Sequence, residues 1–243
     1  MMEPLTKSVT NLRLDIPKNE GVRIWFARAD ENWASTFQGV LTAEEHEDIQ
    51  RLARESDRFD AVLSRGLWRH AAARIMGAEP RLVEVERTPY GRPLPAGIPR
   101  TASDLSTSHS SGLVALAVGS GVRVGVDVEH MYSLNDSEGV AQAIEGIVGP
   151  AVEQIPDSTE RQMMCWCMFE ALLKADGRGL HLSPSMVSAE IRSLWGWNMA
   201  RVAGTVWWVR RLRVPTGYAG AIAAMAPTEE LDLVTLDDPG LAV

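Results

Sequence analysis

The chain has 243 residues, 45% hydrophobic and 23% charged, with 24 basic against 32 acidic side chains and a net charge of -8. This is ordinary globular composition. No apolar run approaches the ~20 residues of a membrane helix and the first twenty residues hold no apolar signal core, so neither secretion nor membrane insertion is expected. Cys165 and Cys167 stand two apart in one helical pattern, where they cannot pair with each other or build a zinc site alone. A reducing cytoplasm is the natural compartment.

Charge is unevenly spread. Five acids and no base fall in residues 228–243, so an acidic tail supplies most of the net charge and the body is near balance. That argues against nonspecific nucleic-acid binding, while leaving room for a local phosphate or acidic-partner site in an arginine-rich helix and at Arg210, Arg211 and Arg213. Lys7, Lys18 and Lys174 are the only lysines, which makes the interior Lys174 conspicuous.

In chain order, the pattern predicts a strand over 22–29 and a helix from Thr42, whose spacing to Glu45 is that of a capping box, to about Ala53. A longer amphipathic helix over 57–76 carries Arg58, Arg65, Arg69 and Arg74 and ends at Gly77. A short strand over 82–86, a turn-rich loop over 88–99 (TPYGRPLPAGIP) and a serine-rich turn at 106–111 lead into a strand over 113–118. The second half reads as a strand over 122–128, a helix over 138–148, a stronger helix over 159–176 stopped by Gly177, and strands over 186–191, 206–214 and 218–225. Residues 1–120 and 121–243 thus make two similar halves. The expected fold is α+β, with two α/β halves related by a pseudo-two-fold, each a small mostly antiparallel sheet packed with helices, and a site at the seam.

Three local features carry chemistry. Asp127 and Glu129 alternate along a strand, so both carboxylates share a face, and such a pair either ends a strand in water or binds a cation, with Mg²⁺ favoured by oxygen ligands. Glu170 and Lys174 are one helical turn apart, which on its own is a routine surface pair. The apolar Met164, Trp166, Met168, Phe169, Leu172 and Leu173 around them imply burial, and a buried carboxylate requires a partner or a metal. Ser108, His109 and Ser110 form either a plain hydroxyl-rich turn or a donor-rich cradle for phosphate oxygens, with the Arg92 fork nearby in sequence.

VGVDVE at 124–129, followed by WCMFEALLKADGRGL at 166–180, resembles the two signature motifs of the Sfp-type 4'-phosphopantetheinyl transferases. YGRP at 90–93, SHS at 108–110 and the arginine-rich helix extend the likeness over residues 22 to 226. The resemblance implies an enzyme that moves the phosphopantetheine arm of coenzyme A to a serine of an apo acyl or peptidyl carrier protein, releasing adenosine 3',5'-bisphosphate. It further implies that Asp127, Glu129 and Glu170 hold Mg²⁺ on the pyrophosphate, that Lys174 pairs with the phosphates, and that Glu170 is the general base. Ser108, His109 and Arg92 would hold the adenosine end, with Arg58 and Arg65 as further contacts. A cytoplasmic monomer serving fatty-acid, polyketide or nonribosomal peptide synthesis is expected.

Two positions depart from the family pattern. Phe169 stands where a lysine is common, and Ser106 where an asparagine is common. Phe169 motivates a competing reading, a noncatalytic module that binds coenzyme A or a carrier protein. A Mg²⁺-dependent phosphohydrolase would use the same carboxylates without an acceptor protein.

Overall fold

Alternation of side chains along two strands organises the first sheet. β1 (Gly21–Arg28) turns Val22, Ile24 and Phe26 to one face and Trp25 and Ala27 to the other. β5 (Leu113–Ser120) divides Leu113, Ala115 and Ala117 from Val114, Leu116 and Val118 in the same way. The structure, a computed structural model, describes residues 14–17, 19–131, 140–141, 144–229 and 231–236. Its first sheet has four strands in the order β12 (Leu231–Leu236), β1, β5, β4 (Ser103–Ser110), with only the β12 to β1 pairing parallel. Three helices cover the Trp25 and Val114 face: α1 (Glu31–Phe37), α2 (Ala43–Gln50) and the long α3 (Glu55–Met76). The expected capping box at Thr42 and Glu45 is formed, and Gly77 ends α3 in the left-handed conformation.

Two short strands make a separate hairpin: β2 (Val85–Arg87) overlaps the strand expected over 82–86, and β3 (Pro93–Pro95) lies within the segment expected as a loop. The second main sheet has six strands in the order β6 (Val124–His130), β11 (Tyr218–Ala224), β10 (Thr205–Arg211), β9 (Asn198–Val202), β8 (Val187–Glu190) and β7 (Ile147–Val148). Against one face lie a short helix α4 (Pro150–Glu153) and the 19-residue α5 (Ser158–Asp176), which bury Met163, Met164, Cys167, Met168 and Phe169 on Ala219, Ala221, Ala223 and Trp207. The other face joins the two sheets, since Val124, Val126 and Val128 of β6 meet Val22, Ile24, Phe26 and Leu113 in one buried cluster. The molecule is a mixed α+β structure with several small sheets.

Some expected elements are corrected. Residues 106–111 do not form a turn: β4 runs through Ser110, and the reversal is the two-residue loop of Ser111 and Gly112, both at positive φ (47° and 86°), the backbone of a tight hairpin. The serines mislead because polar residues rarely fill a strand, and here their hydroxyls serve a neighbouring strand. α1 and β9 have no counterpart among the expected elements. Of the helix expected over 138–148, residues 138–139 and 142–143 lie outside the described residues, 140, 141 and 144 are helical, and its end, Ile147–Val148, is a strand paired with β8. The acidic segment from 228 contains β12, which returns the chain to the first sheet. Trp207 is buried, whereas Trp195 is exposed in the loop before β9, with Arg211 and Arg213 at 4.9 and 5.1 Å from its ring.

Gly125 lets α5 lie against β6. A Cβ at that position would fall 2.2 Å from both the Ala171 carbonyl oxygen and the Ala175 nitrogen, and those atoms are backbone that cannot rotate away. Gly125→Ala is therefore expected to destabilise the fold by about 3 kcal/mol, the upper range for overpacking a well-filled interior. Denaturant unfolding checks this; a loss under about 1 kcal/mol would mean that the helix is free to slide.

Candidate active site

β6 sends Val124, Val126 and Val128 toward the first sheet, so Gly125, Asp127 and Glu129 face the α5 side, as the period of two requires. α5 is secured at its start by Asp157, whose carboxylate accepts from the Glu160 N–H at 2.8 Å, and at its end by Gly177 at a φ of 96°. Its last two turns carry Glu170 and Lys174, both half-buried, beside β6. Phe169 is 1% exposed and points into the core, so the residue that departs from the family pattern does not face the carboxylates.

Lys174 Nζ donates to Asp127 Oδ1 at 2.7 Å and to Ser108 Oγ at 2.9 Å, while the Ser108 hydroxyl donates to the same Asp127 oxygen at 2.8 Å. Three residues from β4, β6 and α5 thus close a ring of hydrogen bonds. Burial opposes the charge on Lys174, but Asp127, its hydrogen bond, Glu170 and Glu129 outweigh it and raise the ammonium above its ordinary value. Burial pushes the Glu170 carboxyl up to about 7; Lys174 opposes this, and Asp127 and Glu129 add to it. Cys167, fully buried behind them, is likewise driven well up by burial and by Asp127 and Glu129.

The three carboxylates therefore sense one another. Asp127 is 2% exposed, and its Oδ2 is buried with no hydrogen-bond partner among the described residues. That orphaned oxygen and a set of donors made only of carboxylates fit a hard divalent cation in their chemistry. Among the described residues, no three histidine, cysteine, aspartate or glutamate side chains stand together as a ready-made metal centre, and the cation adjacent to Asp127 is the ammonium of Lys174.

The end of α5 is clasped by three arginines that sequence reasoning either assigns elsewhere or passes over. Arg92 donates to the Lys174 carbonyl, to Asp104 Oδ1 at 2.9 Å, and to the Leu105 and Val124 carbonyls at 2.7 and 3.1 Å. Arg100 donates to the Ala175 carbonyl at 2.7 Å, and Arg123 to the Asp176 carbonyl at 2.5 Å. These are the carbonyls that a helix end leaves without internal partners. Asp104, 1% exposed, gathers Arg92, Arg100 and the Val124 N–H on its two oxygens. Burial lowers Arg92 to about 10. Arg92, expected to meet adenosine, thus has its guanidinium turned inward, and no motif betrays Asp104, because its partners converge only in the fold.

His109 is separated from Ser108 by strand alternation and faces α3, with Nδ1 3.9 Å from Asp60 Oδ2. Burial and then Lys174 hold its imidazole below the ordinary value. Arg65 donates to the Glu45 carbonyl at 2.9 Å and lies 3.7 Å from Asp48, and the half-buried Arg58 has an Nε without a partner among the described residues. A cavity of about 270 Å³ beside the ring is lined by Tyr90, Gly91, Arg92, Thr107, Lys174 and Gly177. A second, of about 200 Å³, contains Ser64, Arg65, Arg87 and Thr107, and Trp68 lines both. The structure thus brings Ser108, Asp127 and Lys174 into contact, with Glu170 and Glu129 in their field, and sets His109 against α3, the helix that carries Arg58 and Arg65.

The family model described as 4'-phosphopantetheinyl transferase, N-terminal, matches residues 25–120, from β1 through β5 with the helices and hairpin between them. The resemblance to phosphopantetheinyl transferases is thereby shown over that stretch, and it supports a phosphopantetheinyl transferase role in general. Ser108 and His109 lie within the match, whereas Asp127, Glu129, Glu170 and Lys174 follow it. No curated protein matches the chain. Among the described residues, no helix is long and apolar enough to cross a membrane.

Proposed function

We propose that this protein transfers the 4'-phosphopantetheine arm of coenzyme A to a serine of an apo acyl or peptidyl carrier protein, releasing adenosine 3',5'-bisphosphate. The observation that carries the reading is the ring of Ser108, Asp127 and Lys174 with the Glu170 carboxyl held up to about 7 beside it, adjoining a segment that matches the transferase family. On this reading the site is the seam between two halves related by a pseudo-two-fold, in a cytoplasmic monomer.

Asp127, Glu129 and Glu170 would hold Mg²⁺, which when bound neutralises the charge that builds on the pyrophosphate oxygens. Lys174 keeps its proton at neutral pH and presents a fixed positive charge to the same oxygens. Glu170 takes the proton of the incoming serine hydroxyl, directly or through a water molecule. The acceptor protein brings its own nucleophile, so no covalent intermediate on this chain is required. The two cavities offer room for the adenosine end, with Arg65 and His109 toward its 3'-phosphate and Arg92 forming wall more than contact. Phe169 is buried in the core, which supports the catalytic reading over the noncatalytic one.

Incubation with coenzyme A, Mg²⁺ and a panel of apo-carrier proteins is expected to add the mass of the arm to at least one carrier; no gain on any overturns the reading. His109→Ala is expected to weaken coenzyme A about tenfold or more and the analogue lacking the 3'-phosphate less than about twofold, the loss typical of a hydrogen bond to a charged group. Equal losses in calorimetric titration would remove His109 from the phosphate.

A further inference from the structure

The even-numbered side chains of β4 form a series with one exception. The Asp104 carboxylate accepts the Val124 N–H at 2.9 Å, the Ser106 hydroxyl accepts that of Val126 at 3.1 Å, and the Ser110 hydroxyl accepts that of His130 at 3.1 Å. Each rung spans twenty residues, and together they let the side chains of one strand replace the missing backbone ladder along the free edge of β6. Ser108 occupies the remaining place in the series, yet its hydroxyl goes to the Asp127 carboxylate.

A serine hydroxyl has one proton. In Ser108 that proton is spent on Asp127 Oδ1, and the oxygen already accepts from Lys174. This leaves nothing to donate to a phosphate, the role implied by resemblance. With two donors on Oδ1, the carboxylate is held in place, and its buried Oδ2 takes no N–H or O–H donor among the described residues, the weakly donating Cys167 thiol being the other neighbour of this carboxylate.

We infer that Ser108 is a positioning residue: it holds Asp127 through Oδ1 so that Oδ2 is presented to a divalent cation. The inference rests on the proposed metal role of Asp127. Partners that orient a metal ligand from outside the coordination sphere are worth about 10–100-fold in metal affinity.

The test is the binding of Mn²⁺ alone, followed by loss of the free-ion paramagnetic resonance signal, beside coenzyme A affinity measured in EDTA. Ser108→Ala is expected to weaken Mn²⁺ about 10–100-fold and to leave metal-free coenzyme A binding within about twofold. Ser108→Thr restores the metal affinity, and Ser110→Ala lowers the melting temperature without moving it. Should the alanine variant fail to fold, Ser108→Cys, with its weak donor, gives an intermediate Mn²⁺ affinity. Unchanged Mn²⁺ affinity with weakened coenzyme A binding in Ser108→Ala makes the hydroxyl a substrate contact and overturns the inference. Asp127→Asn separates the two levels: if it binds Mn²⁺ as well as the unaltered protein does, the metal reading itself falls, and the inference with it.

Discussion

Glu170→Gln is expected to lower the rate of arm transfer by about 10³-fold or more, while coenzyme A still binds within a few-fold of the unaltered protein. A positioned base alone contributes about 10²–10⁴ in rate, and the same substitution removes one of the three carboxylates proposed for the metal. The contacts toward α3, His109 and Arg65 among them, lie on other elements and are untouched. Gln keeps the shape of Glu, so the variant should fold; it should in fact be the more stable of the two without metal. A carboxyl whose folded value lies near 7 holds its proton more tightly in the folded chain than in the unfolded one, so wild-type stability declines as pH rises from about 4.5 through about 7. The amide introduced by the substitution cannot ionise, and melting curves in EDTA at pH 5.5 and pH 8 should show the variant's advantage widening at the higher pH. Full transfer activity would remove Glu170 from the chemistry, and a constant stability gap would mean that burial does not hold its carboxyl up.

The part of the site that follows from period is legible without any fold. Asp127 and Glu129 share a face because strands alternate, and Glu170 and Lys174 align because a helix turns in under four residues. The scarcity of lysine singles out Lys174, which indeed meets Asp127. What cannot be read is anything created by one element lending polar atoms to another. Ser106 and Ser110 look like a turn because their hydroxyls do the work of a strand's backbone for β6, and Ser108 because its hydroxyl serves the Asp127 carboxylate of that strand. Arg92 looks like a ligand for phosphate because a fork beside glycine and proline suits one, yet its partners are carbonyls 13, 32 and 82 residues away. β12 lies hidden in an acidic segment because its exposed Asp232 counts as tail composition, while pairing with β1 and the ion pair to Arg23 depend on the tertiary fold.

Asp104→Asn should be the most destabilising single change in the network at the end of α5. The wild-type carboxylate is wholly buried and both oxygens are fully used: Oδ1 accepts from Arg92 and from Arg100 Nε, and Oδ2 from Arg100 Nη2 and the Val124 N–H. An amide has one acceptor oxygen, so its NH₂ must face two donors, and two guanidiniums that are only 10% and 14% exposed lose their counter-charge. Breaking one side of a buried ion pair costs about 3–5 kcal/mol, because the surviving charge stays out of water. In a chain of this size that corresponds to roughly 10 °C in Tm. The effect should reach the chemistry as well, since Arg92 and Arg100 hold the Lys174 and Ala175 carbonyls and thereby the last turn that aims the Lys174 ammonium at Asp127. Transfer measured well below the variant's Tm is expected to be about tenfold slower, with coenzyme A affinity changed less than the rate. A Tm shift under about 2 °C would show that the arginines find other partners and that α5 holds its register without Asp104.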